Sequence, residues 1–299
     1  MQENTKAHLS LLIANTIYAI NYSVAKTVMP EYLSPGAFVL IRAIGAGLLF
    51  VTLYRVFFYE KVALKDLKTL FLCAFFGVAA NQLLFFEGLN LTSPINASII
   101  MVTTPVTVLL MSFLIIGEKI TKLKVGGVAL GIFGALLLIT NKAVGENIVA
   151  SNALGDTFVF LNSAFYAIYL ALVKPLMKKY SPLTVITWVF IFGFFLVLPY
   201  GFSDFLKVDW QNLPAKTWGG IVFVVFGMTF FAYLLNTFAL KHLQPSVVSI
   251  YIYLQPILAT MISLSLGNDQ LTLIKIISAI LIFTGVYLVS MPKKKQLAN

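Results

Sequence analysis

Residues 93–118 read SPINASIIMVTTPVTVLLMSFLIIGE, and residues 244–269 read QPSVVSIYIYLQPILATMISLSLGND. Both stretches carry a proline at their second position, another proline 11 residues later and an acidic residue at the end. Between these points each is apolar over roughly 20 residues, the length that a helix needs to cross the hydrocarbon core of a membrane. The pair therefore predicts two transmembrane helices that arose by duplication of one sequence.

The composition of the whole chain is that of an integral membrane protein. Of its 299 residues, 60% are hydrophobic and 11% are charged, and the mean hydropathy is +0.93, whereas soluble domains are about 25% charged. This composition excludes a soluble enzyme, a disordered protein and a nucleic-acid-binding protein, because one globular core could not bury so much apolar surface. Cys73 is the only cysteine, so neither an internal disulfide nor a multi-cysteine metal site can form.

The apolar runs are long and continuous and show no strand-like alternation, which predicts helices throughout. The predicted fold class is an all-α integral membrane protein with ten transmembrane helices. The first span contains Asn15 and Asn21, and such polar positions favour a retained helix over a cleaved signal peptide. The predicted spans are residues 7–27, 35–58, 67–88, 93–117, 123–141, 155–175, 182–202, 216–240, 245–267 and 272–291.

The basic residues are distributed unevenly between alternate loops. Fifteen of the 21 lysines and arginines lie in one set of loops, five lie in the other set, and Arg42 lies inside a span. Because loops rich in Lys and Arg stay on the cytoplasmic side, this bias places both termini in the cytoplasm. The C-terminal run Lys293, Lys294 and Lys295 is interpreted as a stop-transfer cluster, with attraction to anionic membrane lipid as the alternative.

The duplication extends over the whole membrane region. At an offset of 151 residues Pro94 matches Pro245, and at an offset of 148 residues Tyr18 matches Tyr166. The repeats run from residue 7 to 141 and from residue 155 to 291, and each holds five predicted spans. An odd number of spans makes the second repeat enter the membrane from the opposite side, so the repeats are inverted. Inverted repeats are typical of secondary transporters, in which one half rocks against the other around a site near the midplane.

Glycine and proline motifs in the fourth and fifth spans carry a resemblance to a known family. The motifs are Thr103-Thr104-Pro105, Gly117-Glu118, Gly126-Gly127, Gly131 and Gly134. The chain resembles EamA-type members of the drug/metabolite transporter superfamily over about residues 7–291. The resemblance implies a small-molecule carrier of the cytoplasmic (inner) membrane, often an exporter of amino acids, whose cavity is lined by helices 1, 3, 4, 6, 8 and 9. In the second copy Ile277-Ser278 replaces the glycine pair, which weakens the expectation of close packing in the last helix.

Polar and aromatic side chains within the spans are the candidates for a substrate cavity, because polar groups in a membrane face the bundle interior or water. Asn15, Tyr18 and Tyr22 share one face of the first span, and a matching set shares one face of the sixth. Their amides, phenols and rings suit a small amphipathic solute, and the alternative is interhelical hydrogen bonding. The predicted substrate-binding residues are Asn15, Tyr18, Tyr22, Asn81, Gln82, Phe85, Asn162, Tyr166, Tyr169, Tyr233, Asn236 and Gln255.

Charged side chains inside the spans are scarce. Arg42 and Glu87 both lie towards the extracytoplasmic side, and we expect them to pair close to an outer gate. The alternative is that Arg42 snorkels to the interface or caps backbone carbonyls. Pro105 and Pro256 interrupt matching helices, and each forms either a hinge or a bend that shapes the bundle, because proline removes a backbone donor.

These features predict a secondary transporter that exports neutral or zwitterionic solutes such as amino acids, by alternating access around a central polar and aromatic cavity. The alternatives are a channel or membrane scaffold without carrier activity, and a carrier of organic cations or drugs. The sequence has no HExxH motif, cysteine cluster or phosphate-binding glycine loop, so no enzyme activity, metal or cofactor is expected. The expected partners are a small-molecule substrate and membrane lipid. A homodimer is left open through Gly127-x-x-x-Gly131, for which internal helix packing is the preferred interpretation.

Overall fold

The computed structural model describes residues 2–26, 28–92, 94–143, 152–265 and 272–291. The predicted all-α class is confirmed, because all regular structure in these ranges is helical. The end of the second duplicated stretch, Asn268-Asp269, and the Lys293–Lys295 cluster lie outside the described residues. The helices are α1 Gln2–Lys26, α2 Pro35–Phe57, α3 Leu64–Ala74, α4 Ala80–Leu91, α5 Pro94–Met101, α6 Thr104–Ile116, α7 Lys122–Ala143, α8 Ala153–Leu176, α9 Pro182–Leu206, α10 Ala215–Val222, α11 Ala232–His242, α12 Pro245–Ile250, α13 Leu254–Ser265 and α14 Leu273–Ser290.

Eight helical stretches in the described ranges are long and apolar enough to cross a membrane, so the chain is a multi-pass membrane protein. They correspond in position to the second, third, fourth and sixth to tenth predicted spans. Two of them join shorter helices through π-helical segments: Phe75–Ala79 connects α3 to α4, and Phe223–Phe231 connects α10 to α11. The first and fifth predicted spans coincide with α1 and α7, which are helical but are not among the eight.

Local sequence signals set several helix ends. Ser34 precedes Pro35 at the start of α2, and its hydroxyl accepts a hydrogen bond from the Ala37 amide at 3.3 Å. Ser181 begins α9 in the same way, ahead of Pro182. Serine is a preferred N-cap and proline a preferred first helical residue, because the proline lacks an amide that would be unpaired there. Gly117 ends α6 with a φ of 66°, a left-handed conformation that glycine adopts without strain.

The helical path is irregular one turn before each of the two predicted hinge prolines. α5 ends at Met101 and α6 begins at Thr104, so that Pro105 lies in the first turn of α6. In the other half a 3₁₀ turn, Tyr251–Tyr253, separates α12 from α13 and precedes Pro256. A proline nitrogen cannot donate to the carbonyl four residues earlier, which explains a break at both places.

α7 and α14 pack closely against each other on the outside of the bundle. A Cβ atom built on Gly127 would lie 2.7 Å from the carbonyl oxygen of Gly285, and one on Gly134 would lie 2.9 Å from that of Ser278. The last helix, α14, therefore packs more closely than the loss of the glycine pair led us to expect. Gly285 and Ser278 present the small surface that the missing pair would have supplied. Gly131 contacts the ring of Tyr253, so this glycine face is used within the protein.

Candidate functional site

A cavity of about 150 Å³ lies between helices of both halves of the chain. Its walls come from α1, α2, α4, α8 and α11, from the π-helical segment Phe223–Phe231 and from the residues just before Pro105 and Pro256. No described residue of α7 or α14 lines it, which agrees with their outer position. Ten of the twelve predicted substrate-binding residues line the cavity, namely Tyr18, Asn81, Gln82, Phe85, Asn162, Tyr166, Tyr169, Tyr233, Asn236 and Gln255.

Asn15, one of the other two predicted residues, lies behind the cavity wall and positions a residue that lines it. Its Oδ1 accepts a hydrogen bond from Nε2 of Gln255 at 2.9 Å, and its Nδ2 donates to the Leu11 carbonyl at 2.8 Å. Tyr22 belongs to α1, but its side chain lies outside the described residues. Asn15 therefore acts on the site through Gln255.

Asn81 and Asn162 connect α4 to α8 by a reciprocal pair of hydrogen bonds. Nδ2 of Asn81 donates to the Asn162 carbonyl at 3.0 Å, and Nδ2 of Asn162 donates to the Asn81 carbonyl at 2.8 Å. Each amide is thereby fixed in orientation, because its donor group is engaged. The Oδ1 atom of Asn162 is buried and has no hydrogen-bond partner, so this lining residue keeps an unused hydrogen-bond acceptor.

Two further hydrogen bonds cross between the halves at the cavity. Nε2 of Gln82 donates to the hydroxyl of Tyr233 at 2.9 Å, and Nδ2 of Asn236 donates to the hydroxyl of Tyr18 at 3.0 Å. Part of the predicted set thus forms interhelical hydrogen bonds, which was the alternative interpretation of these residues. The same side chains still line the cavity, because one amide can bond a neighbour and present its remaining atoms to a ligand.

Arg42 lies at the cavity wall. Its side chain is 1% exposed, its Nε donates to the Thr229 hydroxyl at 2.9 Å, and its guanidinium carbon lies 5.0 Å from the ring centroid of Phe86. The guanidinium also interacts with the hydroxyl of Tyr233. The alternative prediction for Arg42 was that it snorkels to the interface or caps backbone carbonyls. Its side chain is instead buried, and its Nε bonds a hydroxyl and not a carbonyl.

The expected pair of Arg42 and Glu87 is not formed. Glu87 accepts a hydrogen bond from the Tyr200 hydroxyl at 2.7 Å and does not line the cavity. The reason is helical geometry: Phe86 follows Gln82 by four residues and faces the cavity with it, whereas the next residue is turned by about 100°. Glu87 therefore points towards α9, and the ring of Phe86 occupies the position next to the guanidinium.

Some cavity residues were not among the sequence predictions for the site. Asn21 lines the cavity with a buried Oδ1 that has no hydrogen-bond partner. Its spacing of three residues from Tyr18 was a usable signal, because residues three apart share a helix face. Met101, Met228 and Ile252 are apolar lining residues. They carry no comparable signal, since apolar residues occupy every face of these helices.

Lys174 is buried near the end of α8 and caps the end of α11. Its Nζ donates to the carbonyls of Leu240 and Leu243, each at 2.6 Å, and to that of Lys241 at 3.3 Å. A cation is favourable at a helix C-terminus, where the last carbonyls have no intrahelical partner. From the sequence alone Lys174 is one of the basic residues of the cytoplasmic loops, and its spacing gives no signal for this contact.

Other polar contacts near the loops tie distant segments together. Oε1 of Glu118 accepts hydrogen bonds from the ammonium of Lys124 and from the hydroxyl of Ser246, which joins the α6–α7 loop to α12. The Lys179 ammonium lies 2.8 Å from Asp66, and this carboxylate raises the pKa of Lys179 above its ordinary value. Because Lys179 is half exposed, its ion pair contributes little to stability.

One family model matches both halves that enclose the cavity. The model of the EamA-like transporter family covers residues 5–140 and again residues 153–291. The chain belongs to the EamA-like transporter family. The resemblance inferred from the glycine and proline motifs is thereby confirmed, and the family is one of transporters.

Relatives of this EamA-like transporter occur in bacteria, archaea and plants. The "Uncharacterized transporter YyaM" of Bacillus subtilis is 28% identical over 210 residues, which span 70% of this chain and 68% of the relative. An "Uncharacterized transporter" of Archaeoglobus fulgidus is 27% identical over 91% of this chain and 92% of the relative. The protein WALLS ARE THIN 1 of Arabidopsis thaliana is 26% identical over 98% of this chain and 85% of the relative. A solved crystal structure with 16% identity has a TM-score of 0.77 over 96% of both chains, so the EamA-like chain shares its fold.

Proposed function

We propose that this protein is a secondary transporter that exports small neutral or zwitterionic solutes, such as amino acids, by alternating access. The observation that carries the proposal is the central cavity, in which both halves contribute amides, phenols and aromatic rings. Such a lining provides hydrogen bonds for a polar group and π faces for an apolar group of the same solute. An engineered cavity of about this volume holds benzene, so the size favours a small metabolite over a nucleotide sugar.

Matching contacts in the two halves support ten transmembrane helices in two inverted repeats, residues 7–141 and 155–291. The hydroxyl of Ser163 donates to that of Thr104 at 2.9 Å, and Gln255 donates to Asn15 at 2.9 Å. Ser163 matches Asn15 at an offset of 148 residues, and Gln255 matches Thr104 at an offset of 151, so the two bonds are equivalent. Two such halves have two equivalent arrangements around one central site, which is the basis of alternating access.

The charge of the cavity distinguishes the proposed carrier from a carrier of organic cations or drugs. Its described lining includes Arg42 and no carboxylate. A carrier of organic cations needs an anionic or strongly π-rich site without a competing cation, so Arg42 argues against cations and drugs of that class. A channel or scaffold has no need for equivalent halves around one shared cavity. We therefore infer a carrier and not an enzyme.

The proposed location is the cytoplasmic (inner) membrane with both termini in the cytoplasm. Single-cysteine labelling tests the orientation, because the chain has one native cysteine, which is buried. In a Cys73→Ser background, Gln211→Cys is expected to react with a membrane-impermeant maleimide in intact cells, and Lys61→Cys only after lysis. Both positions are exposed and lie in loops of opposite predicted side. The reverse pattern would contradict the orientation.

Counterflow in proteoliposomes tests the transport proposal. Vesicles loaded with amino acids, nucleosides, sugars or organic cations are expected to show saturable exchange of amino acids or similar solutes. Tyr166→Phe is expected to reduce this exchange about tenfold while the protein stays folded, because it removes one cavity hydroxyl, worth roughly 1–1.5 kcal/mol in a hydrogen bond. Tyr287→Phe is the matched control, since Tyr287 is 64% exposed on the outer helix α14. Flux that never saturates would favour a channel instead.

A further inference from the structure

Among the described residues that line the cavity, Arg42 is the one with a formal charge. With 1% of its surface exposed, it is held away from bulk water, and the ion pairs of the described residues do not include it. A buried charge without a counter-ion is costly in a membrane protein and marks a functional position by default. The contacts of the guanidinium decide what that function is.

The neighbours of Arg42 orient its guanidinium without neutralising it. Thr229 donates its own hydroxyl hydrogen to the Val224 carbonyl at 2.7 Å, so its oxygen is available to accept from Nε of Arg42. The rings of Phe86 and Phe38 lie 5.0 and 5.8 Å from the guanidinium carbon. These partners are uncharged, and Nη1 of Arg42 is buried with no hydrogen-bond partner. The group is thus held in place with an unused cationic donor.

The same cavity offers hydrogen-bond acceptors that are also unused. Oδ1 of Asn162 and Oδ1 of Asn21 are buried and have no hydrogen-bond partner. The orientation of the Asn162 amide is fixed by its bond to the Asn81 carbonyl, so its oxygen is available. A ligand with an anionic group for Arg42 and a separate N–H or O–H donor for one of these amide oxygens would satisfy such atoms, and unpaired buried polar atoms are costly.

We propose that Arg42 is the anion-recognition residue of this cavity and binds the carboxylate of a small solute, whose own donor group is accepted by Asn162. The inference rests on the proposed transport function and names the substrate class: small carboxylates that also carry an amino or hydroxyl group. The matching position of the second half is Val189, if Ser34-Pro35 is aligned with Ser181-Pro182. The anionic end of the solute therefore lies on the α2 side of the cavity.

Ligand-induced thermal stabilisation of the detergent-purified protein tests the proposal without requiring flux. The probes are alanine and lactate at millimolar concentration, their carboxamides, and inorganic phosphate. The acids are expected to raise the unfolding midpoint, and the carboxamides are expected to bind at least tenfold more weakly, because they lack the charge that Arg42 recognises. Stabilisation by phosphate as well as by the acids would indicate a general anion site, whereas stabilisation by the acids alone indicates a site shaped for a carboxylate.

Arg42→Gln is expected to abolish most of the preference for acid over carboxamide, a loss of about tenfold or more, because it removes the charge that recognises the carboxylate. Arg42→Lys is expected to keep part of the preference, because it keeps the charge but not the planar fork. Arg55→Gln is the matched control, since it removes the same charge from an exposed position in the same helix. The acid-to-carboxamide ratio is compared within each variant, so a lower yield of folded protein does not affect it.

The outcomes separate this inference from the proposed function. Acid-selective binding that is lost in Arg42→Gln supports the role of Arg42, even if no flux is found and the transport proposal fails. Saturable flux or binding that is indifferent to the carboxylate overturns the role of Arg42 and leaves transport in place. Stabilisation by phosphate alone, or by none of the acids, also overturns the carboxylate assignment.

Discussion

Gly127→Leu is expected to destabilise the protein by about 3 kcal/mol or more, because it places a large side chain in a contact that has no space for one. A Cβ atom at this position would lie 2.7 Å from the Gly285 carbonyl oxygen and 2.8 Å from Cγ2 of Val289. Backbone cannot be displaced as easily as the end of a side chain, so α7 and α14 would have to separate. Thermal unfolding in detergent and size-exclusion chromatography measure the loss.

Gly126→Leu is the matched control for this prediction. A Cβ atom on Gly126 would meet no heavy atom within 4 Å, and the residue is exposed on the outer face of α7. The same substitution one residue away is expected to leave the unfolding midpoint unchanged or slightly raised, because leucine has a higher helix propensity than glycine. Equal midpoints for the two variants would show that α7 and α14 are not in close contact.

Lys174→Met is expected to lower the stability by about 2–4 kcal/mol, because it leaves buried carbonyl oxygens without a donor. The ammonium group now bonds the carbonyls of Leu240 and Leu243 at the end of α11. Methionine has a similar length and no donor, so the change removes the cap while it keeps most of the side-chain volume. The unfolding midpoint is expected to fall, and the connection between α11 and α12 to become more accessible to proteolysis.

Lys178→Met is the matched control, because it shows whether the loss of stability comes from the lost helix cap or only from the loss of a positive charge. Lys178 lies four residues later, is exposed and carries the same charge. Its replacement is expected to leave the midpoint within experimental error of the wild type. If both lysine variants lost stability equally, the contacts of Lys174 with α11 would not be the cause.

Much of the cavity could be predicted from the sequence for a simple physical reason. Polar side chains are costly in lipid, so an amide or phenol in the middle of an apolar run faces the bundle interior, whichever helices surround it. Tyr18, Tyr166 and Asn162 follow this rule and line the cavity. The rule specifies the side of a helix but not the partner. Asn15 shows the difference, since it faces inward yet bonds Gln255 behind the cavity wall.

The predictions that failed depended on which side chains meet. The sequence placed Arg42 and Glu87 at similar depths, but a rotation of about 100° between successive residues turned Glu87 towards Tyr200 and left Phe86 beside the guanidinium. The close packing of α14 was underestimated, because Gly285 was not known to lie against Gly127. Such contacts depend on the relative rotation and depth of two helices, and these are set by the packing of the whole bundle.

The sequence by itself determined the membrane class, the approximate positions of the helices and the polar composition of the site. Each of these follows from the length and polarity of a local segment, which lipid selects directly. Only the tertiary structure decided that Arg42 faces the cavity without a counter-ion and that Lys174 caps α11. Hydrogen bonds and side-chain contacts require atoms from distant segments to come within a few ångströms, and that distance is a property of packing rather than of any one segment.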